Sequence, residues 1–141
     1  MQFSAVVISL VAAATTAFAQ NTATVAYTTV FDDASVSTLN VACSDGINGL
    51  ATKGFPTLGS LPKFPFIAAS SQIAGWNSPN CGKCYSVTYG PKTVFVIAVD
   101  RAVDGFVMSK GAMDALTDGQ ATMLGRIQAT WAEAPASSCG F

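Results

Sequence analysis

Few side chains in this 141-residue sequence can carry covalent or metal chemistry, and the most conspicuous are Cys81 and Cys84 in NCGKCY, residues 80–85. Two cysteines at this spacing serve as a redox dithiol, as half of a zinc site, or as neighbouring anchors of separate structural disulfides. Zinc is not suggested, because the chain has no histidine and Cys43 and Cys139 lie far away on either side without paired spacing. A thioredoxin-like dithiol opens a helix in a βαβ unit, whereas the residues from Tyr85 onward alternate like a strand. Structural bridging is the remaining reading. Loops as long as Cys43–Cys81 and Cys84–Cys139 would each restrain the unfolded chain by roughly 4 kcal/mol, against about 2 kcal/mol for a tight Cys81–Cys84 ring. Chain entropy does not separate that pairing from Cys43–Cys84 with Cys81–Cys139, whose loops are nearly as long.

Without histidine there is no Ser-His or Cys-His nucleophile pair of the usual kind and no H-E-x-x-H zinc protease motif, and no glycine-rich phosphate loop occurs either. What is left is carboxylates and aromatic rings, the equipment of a carbohydrate site. Asp100 ends the apolar run TVFVIAVD, where a strand can deliver a side chain to the mouth of a barrel. Its alternative role is a carboxylate bonded within its own turn. Trp76, flanked by Gly75 and Asn77, can stack on a sugar face, whereas Trp131, within a strand, reads as core. Glycoside hydrolysis needs two carboxyl groups about 5 to 9.5 Å apart, one protonated and one ionised. Asp32, Asp33 and Asp104 are the available partners for Asp100, and spacing alone selects none of them. No catalytic residue, metal ligand or cofactor is therefore assigned.

These residues need elements to position them. Residues 1–19 have the layout of a secretory signal peptide: an apolar run from Phe3, small residues after it, and Ala17-Phe18-Ala19 before Gln20. The interruptions at Ser9, Thr15 and Thr16 argue against a membrane anchor. Residues 20–141 are long enough for one domain and hold all four cysteines, an even count that suits a secreted disulfide framework. Seven basic and eight acidic residues give a net charge of −1 with no charge run, so neither nucleic acid nor an anionic membrane is suggested as a partner. The pattern predicts a strand over 23–31, with Val25, Tyr27 and Phe31 on one face. It predicts an irregular loop through the prolines at 56, 62 and 65, and a hairpin of 85–89 and 93–100 about Gly90-Pro91-Lys92. A short helix capped by Ser109 carries Ala112, Met113 and Leu116, and a last strand covers 126–133. Several short strands with one or two brief helices imply a small, mainly β barrel.

The stretches CSDGINGLATKGFPTLGSLPKFP, IAGWNSPNCGKCY, AVDRAVDGF and SKGAMDALTDGQATMLG, with Cys139-Gly140 near the end, resemble the cerato-platanin family of small secreted fungal proteins across essentially the whole of residues 20–141. The resemblance implies a six-stranded double-psi β-barrel related to the first domain of expansins. It also implies the bridges Cys43–Cys81 and Cys84–Cys139, a non-hydrolytic, expansin-like role in the cell wall, binding of chitin oligomers or another wall polysaccharide, and recognition by plants as a defence elicitor. The partners it suggests are the polysaccharide, a plant immune receptor and a second copy of the chain. The carbohydrate-binding candidates are Asp100, Trp76, Tyr27, Asn77 and Asp32. The chain departs from the family pattern in three places. V-x-Y-D-x-x-Y-D becomes Val25 to Asp32 with Thr28 and Phe31, I-G-G becomes Ile67-Ala68-Ala69, and G-F-N or G-F-D becomes Gly105-Phe106-Val107. The first and third changes fall where the resemblance places the sugar groove.

Overall fold

A computed structural model describes residues 21–141, so the expected leader over 1–19 lies outside the described residues. Six strands close into a barrel: β1 (Asn21–Thr28), β2 (Ile67–Ser70), β3 (Cys84–Tyr89), β4 (Lys92–Arg101), β5 (Phe106–Ser109) and β6 (Arg126–Ala134), in the order β1-β5-β2-β4-β3-β6. The β1–β5 and β2–β4 pairs are parallel and the other four antiparallel. Two short helices, α1 (Lys110–Thr117) and α2 (Ala121–Leu124), complete a single domain with the expected six-stranded architecture. Closure leaves no unpaired sheet edge, which suits a chain with so few charged residues to guard one.

The β3–β4 hairpin turns at Gly90-Pro91, with Gly90 at φ 56° supplying the positive dihedral that a two-residue loop requires. Strand β1 is shorter than expected. The Thr28 side chain accepts a hydrogen bond from the Val30 amide, and the chain winds into a 3-10 turn over Thr29–Asp32 that buries Phe31. Strands β2 and β5 were not anticipated. Each has only four residues; IAAS is buried throughout and carries two alanines, so it shows neither the alternation nor the β-branched content that marks a strand.

Inward residues of all six strands meet in one core. Tyr85, Phe106 and Trp131 pack edge to face or tilted, with ring centroids 5.7–5.8 Å apart, so Trp131, though half-buried, packs against the core. The expected disulfides form: Cys43–Cys81 at a Cα separation of 5.4 Å and Cys84–Cys139 at 5.8 Å. CGKC therefore anchors two bridges, one tying the 43–50 loop and the other the C-terminal turn to the barrel.

Helix α1 begins where the sequence places it. Ser109 Oγ accepts from the Ala112 amide at 3.0 Å, the ordinary N-cap bond. Asp32 adds a second cap from far away in sequence: its two carboxylate oxygens accept from the Lys110 and Gly111 amides at 2.7 and 2.8 Å. The space for Asp32 explains Gly111, a weak helix former, because a Cβ there would stand 3.0 Å from Pro65 Cγ and 3.1 Å from Asp32 Oδ1.

Candidate functional site

The position of Asp100 is set by a β-bulge. In β4, Val94, Val96 and Ala98 face the core, and uninterrupted alternation would send Asp100 inward with them. Register with β2 shifts between Ala68 and Ala69, however, so that Ala68 pairs with Ala98 but Ala69 pairs with Asp100. Val99 is the extra residue, and every side chain beyond it changes face. Asp100 thus stands in an outward row with Ala69 of β2 and Val107 of β5. The bulged segment is held from the side by the loop after residue 40: the Cys43 amide donates to the Val99 carbonyl at 3.1 Å, and the Ala42 amide donates to Asp100 Oδ1 at 2.9 Å. The Cys43–Cys81 bridge pins that loop.

Around this row lies an open cleft of about 310 Å³, lined by Thr28, Val30, Phe31, Ala69, Asp100, Arg101 and Val107. Asp100 Oδ1 accepts from the Ala42 and Arg101 amides, at 2.9 and 2.8 Å, while no hydrogen bond from the described residues reaches Oδ2. Arg101 is exposed beside it and offers up to five donors. The floor is apolar, with Phe31 and Ala69 buried and Val107 half-buried, and Val30 forms an exposed lip. Each departure from the family pattern contributes to this lining, through Thr28 and Phe31, through Ala69 and through Val107. The second, Ala69, was not expected there. Asp100 is the only carboxylate in the lining, so the cleft does not hold the two opposed carboxyl groups that glycoside hydrolysis uses.

The other sequence candidates do not line this cleft. Tyr27 pairs with Met108 on the inward face and packs against the core, because β1 alternates and Ala26 and Thr28 take the outward positions. Asp32 is half-buried with both oxygens committed to α1. Trp76 and Asn77 belong to a neighbouring loop pair. The Trp76 indole N–H donates to Asp45 Oδ1 at 2.6 Å, and the residue is 63% exposed. Asn77, at φ 59°, accepts from the Asn48 amide through Oδ1 and from the Asn48 side chain through its carbonyl, both at 3.0 Å. Asn77 thus works as a loop clamp, while Trp76 stays exposed outside the cleft. Sequence reasoning missed Arg101 and Val30. Arg101 adjoins Asp100 and could have been found from that adjacency; Val30 becomes a wall only because the 3-10 turn brings it round.

No group of three or more metal-ligating side chains occurs among the described residues. Asp33, on the surface, is held below the usual carboxylate range by bonds from the Ser35 hydroxyl and amide, and Tyr85 is pushed up by burial and then by Glu133. Neither lies in the cleft, whose lining offers one carboxylate, neighbouring donors and an apolar floor.

Residues 23–141 match the family model for Cerato-platanin. The chain is 47% identical over 121 residues to the heat-stable 19 kDa antigen of Coccidioides posadasii, spanning 86% of this chain and 83% of that protein. It superposes on the crystal structure of cerato-platanin 1 from M. perniciosa with a TM-score of 0.81 and 45% identity, covering 83% of this chain and 98% of that one. Against the solution structure of the fungal elicitor cerato-platanin the TM-score is 0.75 and the identity 34%, covering 82% and 95%. With the match extending over nearly the whole barrel, its bulge and both bridges included, the chain belongs to the cerato-platanin family.

Proposed function

We propose that this protein is a secreted fungal wall protein that binds a neutral polysaccharide, chitin oligomers first, in the Asp100 cleft without cleaving it, and that plants perceive it as an elicitor. The observation that carries the reading is the division of labour within one carboxylate. Asp100 Oδ1 is clamped by two backbone amides, which fixes the group, while Oδ2 is left to accept from sugar hydroxyl or amide N–H groups. Arg101 and Thr28 add donors, and the apolar floor suits the C–H face of a sugar ring or an acetyl methyl. Secretion is supported by two disulfides with no free cysteine among the described residues. The elicitor role rests on the solved relative described as a fungal elicitor.

Titration with chitohexaose, followed by amide NMR, tests the reading. Shifts should gather at Ala26, Ala69, Asp100, Arg101 and Val107, with a Kd in the micromolar range or weaker, as for an open cleft that covers only part of its ligand. Asp100→Asn should weaken binding about five- to thirtyfold, equivalent to about 1–2 kcal/mol, because a charge-assisted acceptor becomes neutral. Its melting temperature should hardly move, since the amide oxygen can still accept from Ala42. A parallel reducing-sugar assay should find no new ends. Release of sugar in proportion to protein would instead establish a glycosidase, and unaltered binding with lowered stability would make Asp100 a loop clamp only. Infiltration of leaves with wild type and Asp100→Asn, read as an oxidative burst, tests whether perception needs the cleft.

A further inference from the structure

A larger cleft, about 450 Å³, opens elsewhere on the barrel, between the start of β4, helix α1, the loop before β2 and the C-terminal turn. It lies apart from the Asp100 cleft: Phe95 and Asp100 are five positions apart on the same strand, roughly 17 Å at the usual strand rise. Its apolar lining comes from Phe66, Val94, Phe95 and Ala115, and its two charged lining residues are both cationic, Lys63 and Lys92. Phe95 takes an outward position in β4 and is left 38% exposed.

The cleft is built rather than incidental. Lys63 adopts φ 54°, a left-handed conformation disfavoured for a side chain with a Cβ, and its ammonium donates to the Ser138 carbonyl at 3.1 Å. That carbonyl belongs to the C-terminal turn, Ala136–Cys139, which the Cys84–Cys139 bridge ties to β3. Gly140 follows at φ 89°, packed so closely that a Cβ there would lie 2.9 Å from Pro62 Cβ, and Phe141 stacks edge-on against Phe55 with centroids 5.7 Å apart. A covalent bridge, a close backbone approach and an aromatic contact thus fix one rim in place. Lys92 on the other rim pairs with Asp118, which is outside the lining, and both side chains are largely exposed. An exposed pair of this kind is readily exchanged for another anion.

We propose that this second cleft binds a small amphipathic carboxylate, its anionic head between Lys63 and Lys92 and its alkyl or aryl body on Phe66, Phe95 and Ala115. Charge selects the class: an apolar floor alone would accept any amphiphile, whereas two ammonium groups and no lining carboxylate favour an anion. This cleft does not depend on the polysaccharide reading, since it shares no residue with the Asp100 cleft.

Octanoate and octylammonium, equal in chain length and opposite in charge, are the probes, each titrated into the wild-type protein below its micelle-forming concentration. Octanoate should give saturable amide shifts at Phe66, Thr93 to Phe95, Ala115 and Ser138, and octylammonium should bind at least about fivefold more weakly, the scale of an exposed ion pair. The variant K63Q/K92Q, altered only at exposed positions, should lose the preference for octanoate, and F95S should weaken both probes. The proposal is overturned if octanoate gives no saturable shifts, if both probes bind equally, or if the shifts spread to the exposed apolar residues Val30, Leu39 and Ile47 that lie outside this cleft.

Discussion

Asp32 and Asp100 are the same residue in two regions of one barrel, and each accepts two backbone amides from distant or adjoining chain. Asp32 commits one oxygen to Lys110 and the other to Gly111, closing the start of α1. Asp100 takes both amides on Oδ1, lines an open cleft, and receives no hydrogen bond on Oδ2 from the described residues. The lesson is that a well-bonded carboxylate is not thereby a structural one. What matters is whether its bonding uses up both oxygens, because the remaining lone pairs are what a ligand can reach.

The strongest way to break this comparison is to cut the support of one side only. Replacing Cys43 and Cys81 together by alanine should cost about 2–5 kcal/mol, visible as a lowered midpoint in thermal or urea unfolding. Hydrogen exchange should then find the Ala42 and Cys43 amides deprotected well beyond the global change, while those of Lys110 and Gly111 follow the global stability. Equal loosening at both ends would mean that the bridge does not specifically hold the bulge.

Next in size is Asp32→Ala, which leaves two amides at the head of α1 without their partner. A loss of about 1–3 kcal/mol is expected in unfolding, with chitohexaose affinity unchanged in the folded fraction. A change in affinity would place Asp32 in recognition after all. Asp100→Ala against Asp100→Asn sharpens the other half. Both remove the charged acceptor, but only alanine removes the clamp on Ala42, so the alanine variant should be less stable by about 0.5–1.5 kcal/mol. Identical midpoints would show that the clamp contributes nothing.

The smallest effect concerns pH, on the Asp32 side. The Asp114 carboxyl is held below its ordinary value of 3.8, first by a hydrogen bond from the Lys110 ammonium and then by the Ala121 amide. A carboxyl depressed in the folded state adds stability that is present above its ordinary value and is lost as pH falls through the folded one. Asp114→Asn should therefore lower the melting temperature slightly near pH 6 and flatten its decline below about pH 4. Parallel melting curves for wild type and variant across that window would remove Asp114 from the acid response.

Much of the fold was legible because it is written locally. The β3–β4 hairpin follows from apolar runs about Gly90-Pro91, α1 from Ser109 and the spacing of Ala112, Met113 and Leu116, and β6 from the alternation of Ile127 and Ala129 with polar neighbours. Strands β2 and β5 escaped because four residues, all buried in β2 and all but Val107 in β5, are too few to show a period, and they become strands only by completing a barrel whose other members recruit them. Of the candidate site, Asp100 was legible as the polar end of an apolar strand. Its surroundings were not, since the lining is drawn from β1, its following turn, β2, β4 and β5, spread over residues 28–107. Tyr27, Asn77 and Asp32 attracted notice as polar or aromatic residues in motifs. Their partners, Met108, Asn48 and the amides of α1, lie far along the chain, so their engagement elsewhere could not be read locally.

By itself the sequence determined the class of molecule. Four cysteines and no histidine argue for disulfides over zinc or a Ser-His or Cys-His pair, short β-rich runs with tight turns favour a barrel, and a balanced, sparse set of charges suggests neither nucleic acid nor an anionic membrane. Tertiary structure decided the direction in which Asp100 points. Period-two alternation along β4 would bury it beside Ala98, and the single extra residue at Val99 turns it outward. A bulge arises from pairing with other segments, here β2 on one side and the Ala42–Cys43 amides on the other, and pairing partners distant in sequence are what a strand's own residues do not encode.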